Sequence, residues 1–93
     1  MHNSPAMATV IIPSLLRKFT GGAERVTADG RNLREVIDHL ERICPGIREH
    51  LLDDGELKGS LVVSIDGEVE TAGIQAQVRD DSEIYFLPAI GGG

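Results

Sequence analysis

The group in this chain best placed to do chemistry is its last one. Leu87 and Pro88 are followed by Ala89-Ile90-Gly91-Gly92-Gly93, which sets a carboxylate behind three residues without side chains. Three glycines contribute nothing to a core, because each has a large backbone entropy to lose and no side chain to bury. What they offer is thinness. A chain without Cβ atoms can thread a narrow channel, and five residues beyond Pro88 reach roughly 17 Å when extended. A carboxylate is a poor electrophile, since its charge is delocalised and its leaving group is oxide, so it must be activated from outside. On the tail alone, a frayed terminus or a cloning remnant explains the glycines equally well.

Other reactive side chains offer less. His2, His39 and His50 are far apart and have no cysteine or acid at metal-ligand spacing, so no metal site is expected. Cys44 lies at the buried edge of an apolar helix pattern beside Pro45, which suits a small packed residue better than a persulfide carrier. Asp80-Asp81 read as a solvated turn rather than a catalytic acid pair. No Gly-Lys-Ser/Thr phosphate loop occurs, so the chain is expected to bind no cofactor, and any ATP is bound elsewhere.

Ninety-three residues make one small domain, near the size at which a single core suffices without disulfides or metal. The aromatic residues are only Phe19, Tyr85 and Phe86, so the core must be aliphatic. A formal net charge of −6 with dispersed basic residues argues against a nucleic-acid partner. It serves solubility first. A single cysteine excludes an internal disulfide and fits a reducing compartment. The apolar run Ala8 to Ile12 is short, ends at Pro13 and lacks a basic leader, so neither a signal peptide nor a membrane span is expected. These features together imply a cytoplasmic protein.

The elements that must hold the tail are legible in order. Residues 1–7 form a loose polar arm, with Met7 an alternative start. Ala8 to Ile12 is a β-branched strand with Val10 and Ile12 on one face. Ser14 to Gly22 is a connecting segment closed by Gly21-Gly22. Glu24 to Ala28 is a second strand, forming an antiparallel hairpin with the first. Asn32 caps a helix, with Glu35 completing a capping-box variant. Leu33, Val36, Ile37, Leu40 and Ile43 make its apolar face. Pro45-Gly46 ends it, and Ile47 to Leu52 adds a turn. Asp53 to Ser60 reads as loop. Leu61 to Ile65 is the third strand, Asp66-Gly67 a two-residue turn, and Glu68 to Glu70 a short return strand. An irregular stretch leads to the last strand, Glu83 to Leu87. There Ile84 and Phe86 alternate against Tyr85 and Leu87. One helix covering one face of a mixed sheet of four to five strands gives an α+β domain over residues 8–88, with 89–93 as the tail.

This order, closing on Asp81-Ser82-Glu83-Ile84-Tyr85-Phe86-Leu87-Pro88-Ala89-Ile90-Gly91-Gly92-Gly93, resembles the ubiquitin-like β-grasp sulfur carriers. These include the small subunit of molybdopterin synthase and the carriers of thiamin and cysteine biosynthesis. The stretch Ile12 to Gly22 is most similar to the cysteine-biosynthesis carrier, because the molybdopterin and thiamin carriers usually lack so long an insertion there. Gly91 stands where the family usually has a non-glycine residue before its terminal pair.

The resemblance implies a carrier rather than an enzyme. A partner of ubiquitin-activating type would use ATP to adenylate the Gly93 carboxylate, and sulfur would then displace AMP to give a thiocarboxylate. That group would donate sulfur on a second partner, either a cysteine-synthase-like enzyme or the molybdopterin-synthase large subunit. Gly91 and Gly92 would thread the channel. Pro13, Val69, Tyr85, Leu87 and Ile90 would meet the partners, with the free carrier a monomer. A ubiquitin-like protein modifier, acylating a lysine from the same adenylate, is the alternative reading.

Overall fold

The computed structural model of the chain describes residues 7–88; the expected tail, 89–93, and residues 1–6 of the expected arm lie outside the described residues. Strand β1 (Met7–Ile11) is followed by a 3-10 segment (Ser14–Thr20) and strand β2 (Arg25–Asp29). Helix α1 (Leu33–Ile43) leads to a single turn, α2 (Arg48–Leu51), and the short strands β3 (Leu52–Asp53) and β4 (Glu56–Leu57). Then come β5 (Leu61–Ile65), β6 (Glu68–Val69), a 3-10 turn (Gly73–Gln75) and β7 (Glu83–Pro88). The main sheet has the order β2-β1-β7-β5-β6, with β1 and β7 parallel and the other pairs antiparallel. This is the mixed sheet of a β-grasp domain.

The strand parity read from the sequence holds. Ala8, Val10 and Ile12 are buried with Ala28, Val63, Ile65, Ile84 and Phe86 on the face that α1 covers. Asn32 Oδ1 accepts the Glu35 amide at 2.9 Å, while Glu35 Oε1 accepts the Arg31 amide at 2.9 Å. The return bond of the capping box therefore falls one residue ahead of the cap. Gly30 makes the approach of β2 to α1 possible, because a Cβ there would stand 2.7 Å from the Val36 nitrogen.

Two expectations need correction. Ile43 is not on the buried stripe of α1; it is 48 % exposed, and Cys44 takes the inner position. At about 100° per residue Cys44 returns to within about 20° of Leu33, whereas Ile43 lies about 80° to one side. The stretch 53–60 is not all loop either. Leu52 pairs with Leu57 and Asp53 with Glu56 around Asp54-Gly55, whose φ values of 58° and 80° are those of a tight hairpin turn.

Side-chain clamps fix the two ends of this framework. Glu41 accepts the Gly46 and Arg48 amides at 2.9–3.2 Å, locking α1 to α2 across Pro45. Those amides hold its carboxyl below the usual carboxylate range. Asp66 Oδ1 accepts the Glu83 amide and Oδ2 accepts the Ser82 hydroxyl, both at 2.9 Å. The first residue of β7 is thereby tied to the β5–β6 turn.

Candidate functional site

Strand β7 delivers the tail, and its position follows from its composition. Ile84 and Phe86 are buried, so the strand needs cover, and it finds β1 on one side and β5 on the other. The parallel ladder to β1 runs from Thr9–Glu83 to Ile11–Tyr85; the antiparallel ladder to β5 runs on to Leu61–Pro88. The root of the tail is thus a hydrogen-bonded central strand, clamped at its start by Asp66. Gly93, the expected reactive residue, Gly91 and Gly92, the expected threading residues, and Ile90, an expected partner contact, lie outside the described residues.

The expected partner-facing residues fall into two places. On the sheet face away from α1, a row runs Arg25–Ile11–Tyr85–Ser64–Val69 across all five strands, since each is register partner to the next. Leu87 lies on the same face opposite Val62. Val69 is 63 % and Leu87 42 % exposed, and Tyr85 is half-buried. Arg25 and Glu83 make an exposed ion pair at 3.8 Å over this face, where such pairs contribute little. Pro13 belongs to a second feature at the end of the sheet.

β1 ends at Ile11, two residues before Pro13, and the chain continues into the 3-10 segment Ser14–Thr20 rather than along β7 as a strand. Phe86, Leu87 and Pro88 therefore pair with β5 alone. The gap this leaves is a groove of about 670 Å³ walled by Pro13, Leu15, Leu16, Leu61, Phe86 and Pro88, with Lys18, Lys58 and His50 at its border. Leu15 is 84 % exposed, because a seven-residue 3-10 segment can bury only one side, which here is Leu16. Phe19 anchors the segment, its ring centroid 4.9 Å from that of His50 and 5.4 Å from Lys18 Nζ. Neither Leu15 nor the lysines stood out in the sequence reading. The available signal was that Lys18 and Lys58 are the chain's only lysines.

The remaining reactive side chains are structural where they stand. Cys44 is buried against the core, and burial, followed by the nearby Glu41 charge, pushes its thiol up in pKa. It stays protonated, the reverse of what a nucleophilic or persulfide-bearing cysteine requires. His39 Nδ1 accepts the Asp29 amide at 2.6 Å, pinning α1 to β2. Asp81 occupies a left-handed turn position, φ 66°, just before β7. Among the described residues, no three His, Cys, Asp or Glu side chains gather as a metal site would require, and no helix is long and apolar enough to cross a membrane.

What remains is a β-grasp frame whose central strand runs out into a glycine tail, and known proteins share that frame. The ThiS family matches residues 10–93. The sulfur carrier protein CysO of Mycobacterium tuberculosis is 36 % identical over 90 residues, covering 91 % of this chain and 97 % of that protein. A chain in the crystal structure of the Amycolatopsis orientalis BexX/CysO complex is 35 % identical, with a TM-score of 0.84 over 92 % of this chain and 99 % of its own length. The small archaeal modifier protein 1 of Methanosarcina acetivorans, 23 % identical with a TM-score of 0.76 over 98 % of this chain and all of its own, shares the fold. With a family match that runs from the first strand through Gly93, and relatives more than a third identical over nearly their full length, the chain belongs to the ThiS family of sulfur carriers.

Proposed function

We propose that this carrier holds its sulfur as a thiocarboxylate on Gly93 and delivers it in the biosynthesis of cysteine. The observation that carries the reading is the reach of the family match through residue 93, joined to a cysteine-type carrier as relative. The Ser14–Thr20 segment, which the sequence likened to that subfamily, is a folded part of the domain and supports the same assignment.

In this scheme the Gly93 carboxylate attacks the α-phosphate of ATP held by an adenylating partner, and pyrophosphate leaves. A sulfide equivalent then adds to the acyl carbon; the carbon–sulfur bond forms as the carbon–oxygen bond to AMP breaks. The carrier is a co-substrate in both steps and contributes no general acid or base. Its own part is positional. β7 sets the tail's root, Gly91 and Gly92 pass a narrow channel, and the apolar face bearing Tyr85, Leu87 and Val69, with Pro13 and Ile90 nearer the tail, meets the partner. A cysteine-synthase-like enzyme is the acceptor, and the reducing cytoplasm suits a thiocarboxylate. The crystallised BexX/CysO complex of Amycolatopsis orientalis supports the view that carriers of this kind dock as folded domains.

The test is mass spectrometry of the intact chain after incubation with an adenylating enzyme of this family, ATP and sulfide. The expected product carries one oxygen-to-sulfur exchange at Gly93. Consumption of ATP with no such product, or an amide to a partner lysine as the only product, would rule this function out.

A further inference from the structure

The groove beside Pro88 lies where the sheet runs out of a strand. In the parallel ladder the Thr9 amide donates to the Ser82 carbonyl at 2.8 Å, and the register ends with Ile11 against Tyr85. Continued for two residues, this alternation would bring the amide of residue 13 to the Phe86 carbonyl. Residue 13 is proline and has no N–H. On the other side of β7 the Asp66 amide donates to the Glu83 carbonyl, a phase in which Tyr85 and Leu87, not Phe86, bond to β5. Among the described residues the Phe86 carbonyl therefore faces the gap without a ladder partner. The groove around it is apolar, and its only charged or titratable lining groups among the described residues are Lys18, Lys58 and His50, in a chain of net charge −6. Neither lysine is in an ion pair among the described residues; the pairs present use Arg25 and Arg48.

We propose that this groove docks an extended, acidic segment of the adenylating enzyme, laid beside β7 where β1 leaves off. One amide of that segment donates to the Phe86 carbonyl, a bulky apolar side chain covers Leu16 and Leu61, and a carboxylate meets Lys18 or Lys58. The proposal rests on the reading above in one respect, that such an enzyme engages the chain at the end of β7. Three observations select this occupant. An open carbonyl calls for a donor, which an extended main chain supplies. Apolar walls, with Leu15 84 % exposed at their edge, call for a hydrophobic side chain. Unpaired cations on an otherwise acidic chain select an acidic partner segment and reject a basic one. A second copy of this chain fits less well, because two bodies of net charge −6 repel each other. The groove thus gives the enzyme a second contact besides the open sheet face.

The test is calorimetric titration of the full-length chain with an adenylating enzyme of this family, without ATP, together with NMR of the free and bound chain. Binding should shift the Leu15, Leu16 and Leu61 signals. Lys18→Gln with Lys58→Gln should weaken binding about tenfold and flatten its salt dependence, while Lys18→Arg with Lys58→Arg keeps both. Leu15→Ser, at an exposed position, should weaken binding and leave the salt dependence as it was. Arg34→Gln with Arg42→Gln makes the same charge change on the exposed side of α1 and should leave the affinity unchanged. Wild-type affinity in the lysine-to-glutamine and Leu15 variants would overturn the proposal. So would an equal loss in the arginine control, which reads net charge alone. Groove signals that depend on the concentration of the free chain give the groove to a second copy. Leu15 and Leu16 signals that move when residues 89–93 are removed give it to the chain's own end, and either result also overturns the proposal. Sulfuration is measured separately by intact mass, so a chain that docks through the groove yet never gains sulfur defeats the function and leaves the groove standing.

Discussion

Leu87 and Val62 stand opposite each other on β7 and β5, on the sheet face that α1 leaves open. The pairing fixes two properties of Leu87 at once: it is one residue from the tail, and its side chain is outside the core. Leu87→Glu should therefore fold normally, losing only a cross-strand contact worth under about 1 kcal/mol. Binding to the adenylating enzyme should weaken, because a charge enters an apolar contact. Denaturant unfolding and a binding titration separate the two effects. An unfolded variant would mean that Leu87 belongs to the core.

Leu40 and Ile43 are three residues apart on α1, yet only Leu40 is buried. Leu40→Ala should cost roughly 2–5 kcal/mol. Ile43→Ala should stay within about 0.5 kcal/mol, as surface changes usually do. Comparable losses in urea unfolding would place Ile43 back on the inner stripe.

Gly30→Ala tests the close approach of β2 to α1. A Cβ would meet the Val36 nitrogen at 2.7 Å and the Glu35 carbonyl carbon at 2.9 Å, both backbone atoms that cannot rotate aside. The loss should exceed about 1 kcal/mol, since the native backbone is incompatible with a side chain. Gly59→Ala, with nothing within 4 Å of its Cβ, is the control. Equal stability of the two variants would remove the clash from the account.

Asp66 predicts a pH dependence. The Glu83 amide, then the Ser82 hydroxyl, hold its carboxyl below the usual 3.8. A depressed pKa stabilises the fold above the unfolded value, and that contribution is lost as pH falls through the folded one. Asp66→Asn keeps the left-handed turn that both residues tolerate, at φ 54°, while it removes the anion and turns one of the two accepting oxygens into an N–H donor, much as protonation of the carboxyl does. The stability gap between wild type and variant should be constant near neutrality and close below about pH 4. A gap unchanged in acid would leave the bonds to Ser82 and Glu83 without an electrostatic part.

Much of this was legible because local signals agreed with the fold. The alternation of Ile84 and Phe86 with Tyr85 and Leu87, the Asn32 cap and the Asp66-Gly67 turn each have a short-range cause. Asp54-Gly55 carries the same turn signal as Asp66-Gly67, but its flanking strands are two residues each and show no alternation to read. Ile43 follows the helical spacing, and only the packing angle decides between it and Cys44. The parallel pairing of β1 with β7 joins residues over seventy positions apart, and no local pattern encodes it. The groove arises from that pairing ending at Ile11, so Lys18 and Lys58 came together for a reason invisible in one dimension.

The length of the tail is the most exposed element of the proposed function. Only the last carboxylate can become the acyl-adenylate, and β7 fixes where the tail begins, so the count of residues after Pro88 sets where the reacting carbon falls. Deleting Gly93 shortens the reach by about 3.5 Å. Misplacing a reacting group by even about 1 Å can cost on the order of a hundredfold in rate. Adding an alanine after Gly93 should be as harmful, because the new carboxylate overshoots and brings a side chain into a channel sized for glycine. Gly91→Ala should be milder, as it precedes the terminal pair. Intact-mass spectrometry after incubation with the adenylating enzyme, ATP and sulfide reads all four chains. Wild type should gain one sulfur, Gly91→Ala should gain it more slowly, and the two length variants should remain unmodified on the same timescale. A length variant sulfurated at the wild-type rate would show that the position of the final carboxylate does not govern the chemistry.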